Sequence, residues 1–161
     1  MIETMQTDLF TTLDESKEWL EAAVRGNNNG ALCPCCDRFD KVYNYCIPGS
    51  AVTSIANLCV AAKAKPDAAI HCTAFTGNSG AVAKLRHLAL IYQPENQKYT
   101  GGKTGGSWAI TQKGIGFVQG TIPIPSHLII YHDKLIGVSE TNKYIQEFWP
   151  NFNYRELMGA A

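Results

Sequence analysis

The chain has 161 residues, 45% of them hydrophobic and 17% charged, with 14 Lys and Arg balanced by 14 Asp and Glu. That length suits one domain, or one domain with appendages, and it buries a core without disulfides. A charged fraction below the roughly 25% of an average globular chain argues against disorder, and the zero net charge argues against a protein that coats nucleic acid with its whole surface.

No apolar run reaches the roughly 20 residues of a membrane helix. Met1-Ile2-Glu3-Thr4 lacks the basic and apolar regions of a signal peptide. A cytoplasmic protein is expected, and its six cysteines are then thiols or metal ligands.

Thr12-Leu13-Asp14-Glu15 has the pattern of a capping box. It opens an amphipathic helix with Leu13, Leu20, Ala23 and Val24 on one side and Gly26 as its stop. Asn27-Asn28-Asn29-Gly30 is a loop by composition. Cys33, Cys35 and Cys36 follow, and Lys41-Val42-Tyr43-Asn44-Tyr45 reads as a strand. Pro48-Gly49-Ser50 is a turn with Ser50 as N-cap. The spacing of Val52, Ile55, Ala56, Cys59 and Ala62 predicts a helix over 51–64, ended by Pro66.

Ala69 to Phe75 is an apolar link. Gly77-Asn78-Ser79 caps the next helix, which runs to Leu90 with Val82, Leu85, Leu88 and Ala89 on its core face. Ile91-Tyr92 starts a strand, Pro94 to Gly106 forms a Gly- and Lys-bearing tip, and Ser107 to Ile110 returns. Thr111 caps a short helix through Phe117. Thr121 to Pro125 is a linker or edge segment. His127 to Tyr131 and Leu135 to Ser139 make a hairpin about His132-Asp133-Lys134. Thr141 to Trp149 is expected as a short helix, and Asn153 to Met158 as a further helical turn.

A helix followed by a two-stranded wing is the layout of a winged-helix DNA-binding domain. The expected fold is therefore α+β. Residues 1–47 form an N-terminal helix and cysteine knuckle, 48–120 a winged-helix core, and 121–161 a C-terminal hairpin and helix. In that layout Asn78, Ser79, Lys84, Arg86 and His87 meet the major groove, where Asn reads adenine and Lys reaches guanine or phosphate. Lys98 and Lys103 on the tip follow the backbone phosphates. The plainer reading is that Lys84 and Arg86 solvate the outer face of a packed helix and that the glycines merely turn a hairpin.

Leu85-Arg86-His87-Leu88-Ala89-Leu90-Ile91, followed by Ser107-Trp108-Ala109-Ile110-Thr111-Gln112-Lys113-Gly114 and Phe117-Val118, resembles winged-helix regulators. Their helix end is followed by a G-x-W-x-(I/L)-T-x-x-G wing. The stretch from Leu32-Cys33-Pro34-Cys35-Cys36-Asp37-Arg38-Phe39 to Tyr43, together with this wing and Tyr154-Arg155-Glu156-Leu157-Met158, resembles a family of small phage and prophage proteins of unassigned function. The resemblance spans most of the chain. It implies a phage setting, hence the cytoplasm of a host cell, and no residue-level activity. Asp37 departs from the family pattern, which has glycine after the cysteine pair, and the lysine-bearing wing insertion is a second departure.

Cys33 and Cys36 have the C-x-x-C spacing of a zinc knuckle, with Pro34 stiffening the turn. A tetrahedral structural zinc would take Cys33, Cys36, Cys46 and either His71 or Cys72. Free thiols are the alternative. Redox catalysis wants a strand before the motif and a helix after it, and an Asn-rich loop precedes it instead. Cys59 falls on the apolar face of its helix and belongs to the core.

No G-x-S-x-G elbow, no helical H-x-x-x-H pair and no complete phosphate loop is present, so a non-enzymatic protein is expected. The first functional expectation is a phage-type DNA-binding protein, with a regulator as its narrower form. The alternative is a phage-encoded protein that binds and inhibits a host complex, such as a defence nuclease or RNA polymerase. A small virion component is a third. Salt-sensitive DNA binding separates the first from the others. A homodimer through the segment around Phe148 and Trp149 is compatible with each.

Overall fold

Helix α1 (Leu13–Gly26) starts at the reciprocal cap its sequence encodes. The Glu15 amide donates to the Thr12 hydroxyl at 3.2 Å, and the Thr12 amide donates to the Glu15 carboxylate at 2.7 Å. The computed structural model describes residues 12–27, 29–75, 79–94 and 106–159. Over these the protein is α+β, built from short helices and small antiparallel sheets. The chain divides into two compact units, Met1–Tyr45 with Ile129–Gly137, and Cys46–Leu128 with Val138–Ala161.

The smaller unit holds α1, the antiparallel pair β1 (Ala31–Leu32) and β2 (Phe39–Asp40), and most of β3 (Tyr43–Cys46). It also holds the outer part of the hairpin β8 (His127–Tyr131) and β9 (Lys134–Val138), which with β3 forms a sheet in the order β3-β8-β9. Its core is Leu20, Val24, Ala31 and Tyr131, flanked by Trp19, Ala23, Cys33 and Val42. Leu13, expected on the inner face of α1, is 60% exposed, and Ser16 is buried in the same helix. Residue 13 is the first of the helix, where the cap rather than the apolar stripe sets its direction. Gly30 takes φ +85°, and a methyl there would come within 2.5 Å of the Asp40 carbonyl oxygen and the Phe39 ring, so only glycine fits.

In the larger unit α2 (Gly49–Ala61) is the central element. Ala51, Val52, Ile55, Ala56, Leu58 and Cys59 are all buried, a stripe too wide for a surface helix. It packs against α3 (Ser79–Ala83), β6 (Ser107–Ile110), α4 (Gln112–Val118) and α5 (Ile145–Phe148). Its N-cap is Pro48 rather than Ser50, and it ends at Ala61, before Lys63 and Ala64, which both take positive φ. The sheet β4 (Ile70–His71), β6, β5 (Ile91–Tyr92) is antiparallel throughout, in the order β4-β6-β5, with Ile70 opposite Trp108 and Ile91 opposite Ile110.

The segment expected as a helix over 141–149 begins instead as β10 (Asn142–Lys143), paired with β7 (Ile124–Pro125), and turns helical only at Ile145. The β-strand there gives the chain around Pro123 and Pro125 a partner. Phe117 and Phe148 meet edge to face, with centroids 6.2 Å apart. Asn153 caps the terminal turn α6 (Tyr154–Leu157) through the Arg155 and Glu156 amides.

Candidate functional site

The helical segment that carries the candidate groove residues is α3 continued by a 3-10 turn over Lys84–Leu88. Val82, Leu85 and Leu88 face the core. The segment stops two residues earlier than the expected Leu90. Ala89 takes the left-handed conformation at φ 56°, where glycine would normally stand, and is exposed rather than part of the core face. Ser79 opens the segment, Lys84 and His87 are half-buried, and Arg86 is exposed. Asn78, Lys98 and Lys103 lie outside the described residues.

Three residues that follow β6 fix where that segment ends. The Thr111 hydroxyl donates to the Ala89 carbonyl at 2.6 Å, lies 3.1 Å from the Leu90 carbonyl, and accepts from the Gly114 amide at 3.0 Å as the N-cap of α4. Lys113 Nζ donates to the Leu88 carbonyl at 2.9 Å, placing a cation on the last carbonyls of the 3-10 turn. A side chain at Gly114 would run into the Leu90 carbonyl oxygen. The Thr111-Gln112-Lys113-Gly114 segment is thus a clamp. Its threonine satisfies the end of one helix and the start of the next, and its glycine lets them meet.

On β5, the Tyr92 hydroxyl donates to Asp67 at 2.7 Å. That hydrogen bond to the neutral phenol, with burial and the charge of Asp67, raises the Tyr92 pKa. The Asp67 amide donates to the Ile110 carbonyl at 3.0 Å.

Charge is unevenly spread along the chain. From Ala68 to His132 there are five Lys or Arg (Lys84, Arg86, Lys98, Lys103, Lys113) and one acid, Glu95. The remaining residues carry nine basic and thirteen acidic side chains. The zero total hides a basic stretch of sequence that includes the helical segment and α4. A running charge count along the sequence finds it where the whole-chain balance does not.

In the smaller unit Cys33, Cys35 and Cys36 occupy the turn between β1 and β2. The Cys33 amide donates to the Arg38 carbonyl at 2.8 Å and the Asp37 amide to the Cys33 carbonyl at 2.9 Å. Asp37 sits at φ 55°, a left-handed conformation that usually favours glycine, and the tight turn forms without one. The Cys35 amide, against some burial and with help from the Cys36 amide and both neighbouring thiols, holds the Cys33 thiol below its ordinary pKa. Cys46 ends β3 and is exposed, with Sγ 3.9 Å from the Ile47 carbonyl. His71 Nδ1 lies 2.9 Å from the Thr73 hydroxyl. Cys72 and Cys59 are buried, and burial pushes the Cys59 thiol up to about 11. Among the described residues no three His, Cys, Asp or Glu side chains converge to hold a metal ion.

The sequence gives no hint of a third cluster. Tyr131 Oη donates to Asp40 Oδ2 at 2.8 Å, and His132 Nε2 lies 2.6 Å from the same oxygen. The two rings stack at 4.1 Å. Burial works to raise the Asp40 pKa, but hydrogen bonds from Tyr131, His132 and the Lys41 amide outweigh it and hold the carboxyl below its ordinary value. Burial and Asp40 together push Tyr131 up to about 12. His132 and Asp133 form a two-residue hairpin loop, both with positive φ (48° and 60°), the geometry usually reserved for Asn-Gly.

Among the described residues no helix is long and apolar enough to cross a membrane. Comparison with family models, with curated proteins and with solved structures finds no match to this chain.

Proposed function

We propose that the larger unit is a winged-helix module of a phage-type DNA-binding protein. The segment Ser79–Leu88 faces the major groove through Ser79, Lys84, Arg86 and His87, with Asn78 just before it. This reading assigns Lys98 and Lys103, which lie in the sequence between β5 and β6, to the phosphates. The observation that carries this reading is the strand order β4-β6-β5 around a helical segment with two cations and no acid. A short strand before the helix joins the two wing strands after it, the arrangement in which a winged helix presents its recognition element. The basic stretch from Ala68 to His132 supplies the local field that the neutral total would deny. The reading is non-enzymatic and asks only for phosphate and base contacts.

The test is fluorescence anisotropy of a labelled random-sequence duplex at two salt concentrations. Binding should fall steeply with salt, and Lys84→Ala should weaken it and reduce the salt slope by about one. An unchanged affinity and slope in Lys84→Ala, or no binding at low salt, would defeat the assignment.

A second reading, a protein that binds and inhibits a host complex, draws on a different surface. Leu32, Phe39 and Tyr43 in the smaller unit are 47%, 54% and 61% exposed, apolar side chains of the kind that anchor protein interfaces. Host-complex capture that survives Lys84→Ala and is lost in Phe39→Ser would favour it.

A further inference from the structure

We propose that the Cys33–Cys36 turn is a two-thiolate half-site for a soft divalent ion, Zn2+, and that the same two cysteines of a second copy of this chain complete it. The turn is already shaped for the task. Two backbone bonds, Cys33 amide to Arg38 carbonyl and Asp37 amide to Cys33 carbonyl, close it. The left-handed Asp37 lets the chain reverse straight after Cys36.

The ligand count then points outside the chain. Zinc in a structural site takes four ligands. All six cysteines and all four histidines of this sequence lie among the described residues, and among those residues no three His, Cys, Asp or Glu side chains converge. One chain therefore offers the pair in the turn, and a tetrahedron of sulfur needs a second pair. The turn is open to a partner, since Cys35 and Cys36 are exposed. At its base Leu32 and Phe39 stand directly opposite each other on β1 and β2, both exposed. A two-fold axis through the ion would bring each copy's Leu32 and Phe39 against their mates. The contact is then isologous, and ion and apolar pair reinforce each other. Binding deprotonates two thiols per chain, so four protons leave for each ion bound.

The experiment is a titration of the reduced full chain with ZnCl2 and, in parallel, CoCl2. Mass is followed by light scattering, metal by elemental analysis, and cobalt by its visible and sulfur-to-metal bands. The expected result is one ion for every two chains, a doubling of mass that a chelator reverses, and the intense spectrum of four-sulfur cobalt. Cys36→Ser should abolish all three. Phe39→Ser should weaken the dimer, while Cys46→Ser and His71→Ala should change nothing. One ion per monomer, loss of the ion in Cys46→Ser or His71→Ala, or no ion taken up at micromolar metal would each overturn the proposal. The wild-type stoichiometry decides the matter even if a variant fails to fold.

Discussion

The two units are held together by different forces. In the larger one, α2 is wrapped in aliphatic side chains, and Phe117, Ile55, Leu58, Leu85, Leu90 and Ile110 are all fully buried. In the smaller one four buried residues make the core, and the polar knot of Asp40, Tyr131 and His132 ties the hairpin tip to β2. Each fully buried Leu, Ile or Phe contributes about 1.5–3 kcal/mol, whereas a hydrogen bond contributes about 1. The larger unit should therefore resist unfolding by bulk apolar burial. The smaller unit depends on a few directional contacts, and its stability should follow the charge state of one carboxylate. Local opening read by amide hydrogen exchange distinguishes the two.

The sharpest way to break this comparison is to cut each core. Phe117→Ala should destabilise the larger unit by about 4 kcal/mol. Leu20→Ala should cost the smaller unit about 2 kcal/mol, since its shallow core collapses more easily. Equal losses in denaturant titrations would remove the distinction. Backbone constraints come next. Gly30→Ala forces a side chain into positive φ and onto the Asp40 carbonyl, and should cost about 2–3 kcal/mol, lowering protection in α1, β1 and β2 before it touches α2. Loss spread evenly over both units would contradict that.

Smaller still, Tyr131→Phe removes one donor from Asp40 and should cost about 1 kcal/mol. Its diagnostic signature lies in the pH profile. Asp40 has its pKa lowered in the folded state, so its contribution is complete above the unfolded carboxyl value of 3.8 and is lost as pH falls through the folded value. Tyr131 is raised from 10.0 to about 12, so its contribution is complete below 10 and is lost as pH climbs toward 12. The smaller unit should weaken at both ends of the scale. Tyr131→Phe should remove the alkaline loss and soften the acid one, as hydrogen-exchange protection across pH would report. An unchanged profile would mean the knot carries no stability.

Local signals were readable in the sequence, and long-range ones were not. The Thr12–Glu15 box, the Thr111 cap of α4 and the hairpin about His132-Asp133-Lys134 each depend on residues within a few positions. The strands at Ile91-Tyr92 and Ser107–Ile110 were legible from β-forming residues on either side of a Pro- and Gly-bearing segment. The Asp40–Tyr131–His132 knot joins residues some ninety positions apart, and nothing in either neighbourhood announces the other. The short end of the helical segment escaped because Ala89 takes a conformation that composition assigns to glycine. The helix expected over 141–149 failed at its start because a tertiary partner, Ile124–Pro125, claims Asn142–Lys143 for a strand. For the candidate site, Lys84 and Arg86 were visible as a basic pair. The clamp of Thr111, Lys113 and Gly114 that sets their helix end depends on carbonyls more than twenty residues earlier.

The order in which the smaller unit is strung along the chain bears on its synthesis. Its first part ends at Tyr45 and its second begins at Ile129. At about 5–20 residues per second, a ribosome needs roughly 4–17 s to make the intervening stretch. Throughout that interval α1 and the cysteine turn have left the peptidyl-transferase centre while Tyr131, the aromatic lid of their core, does not yet exist. The nascent chain therefore carries Leu20, Val24 and Ala31 uncovered for several seconds, which makes this face the natural target for a chaperone during translation.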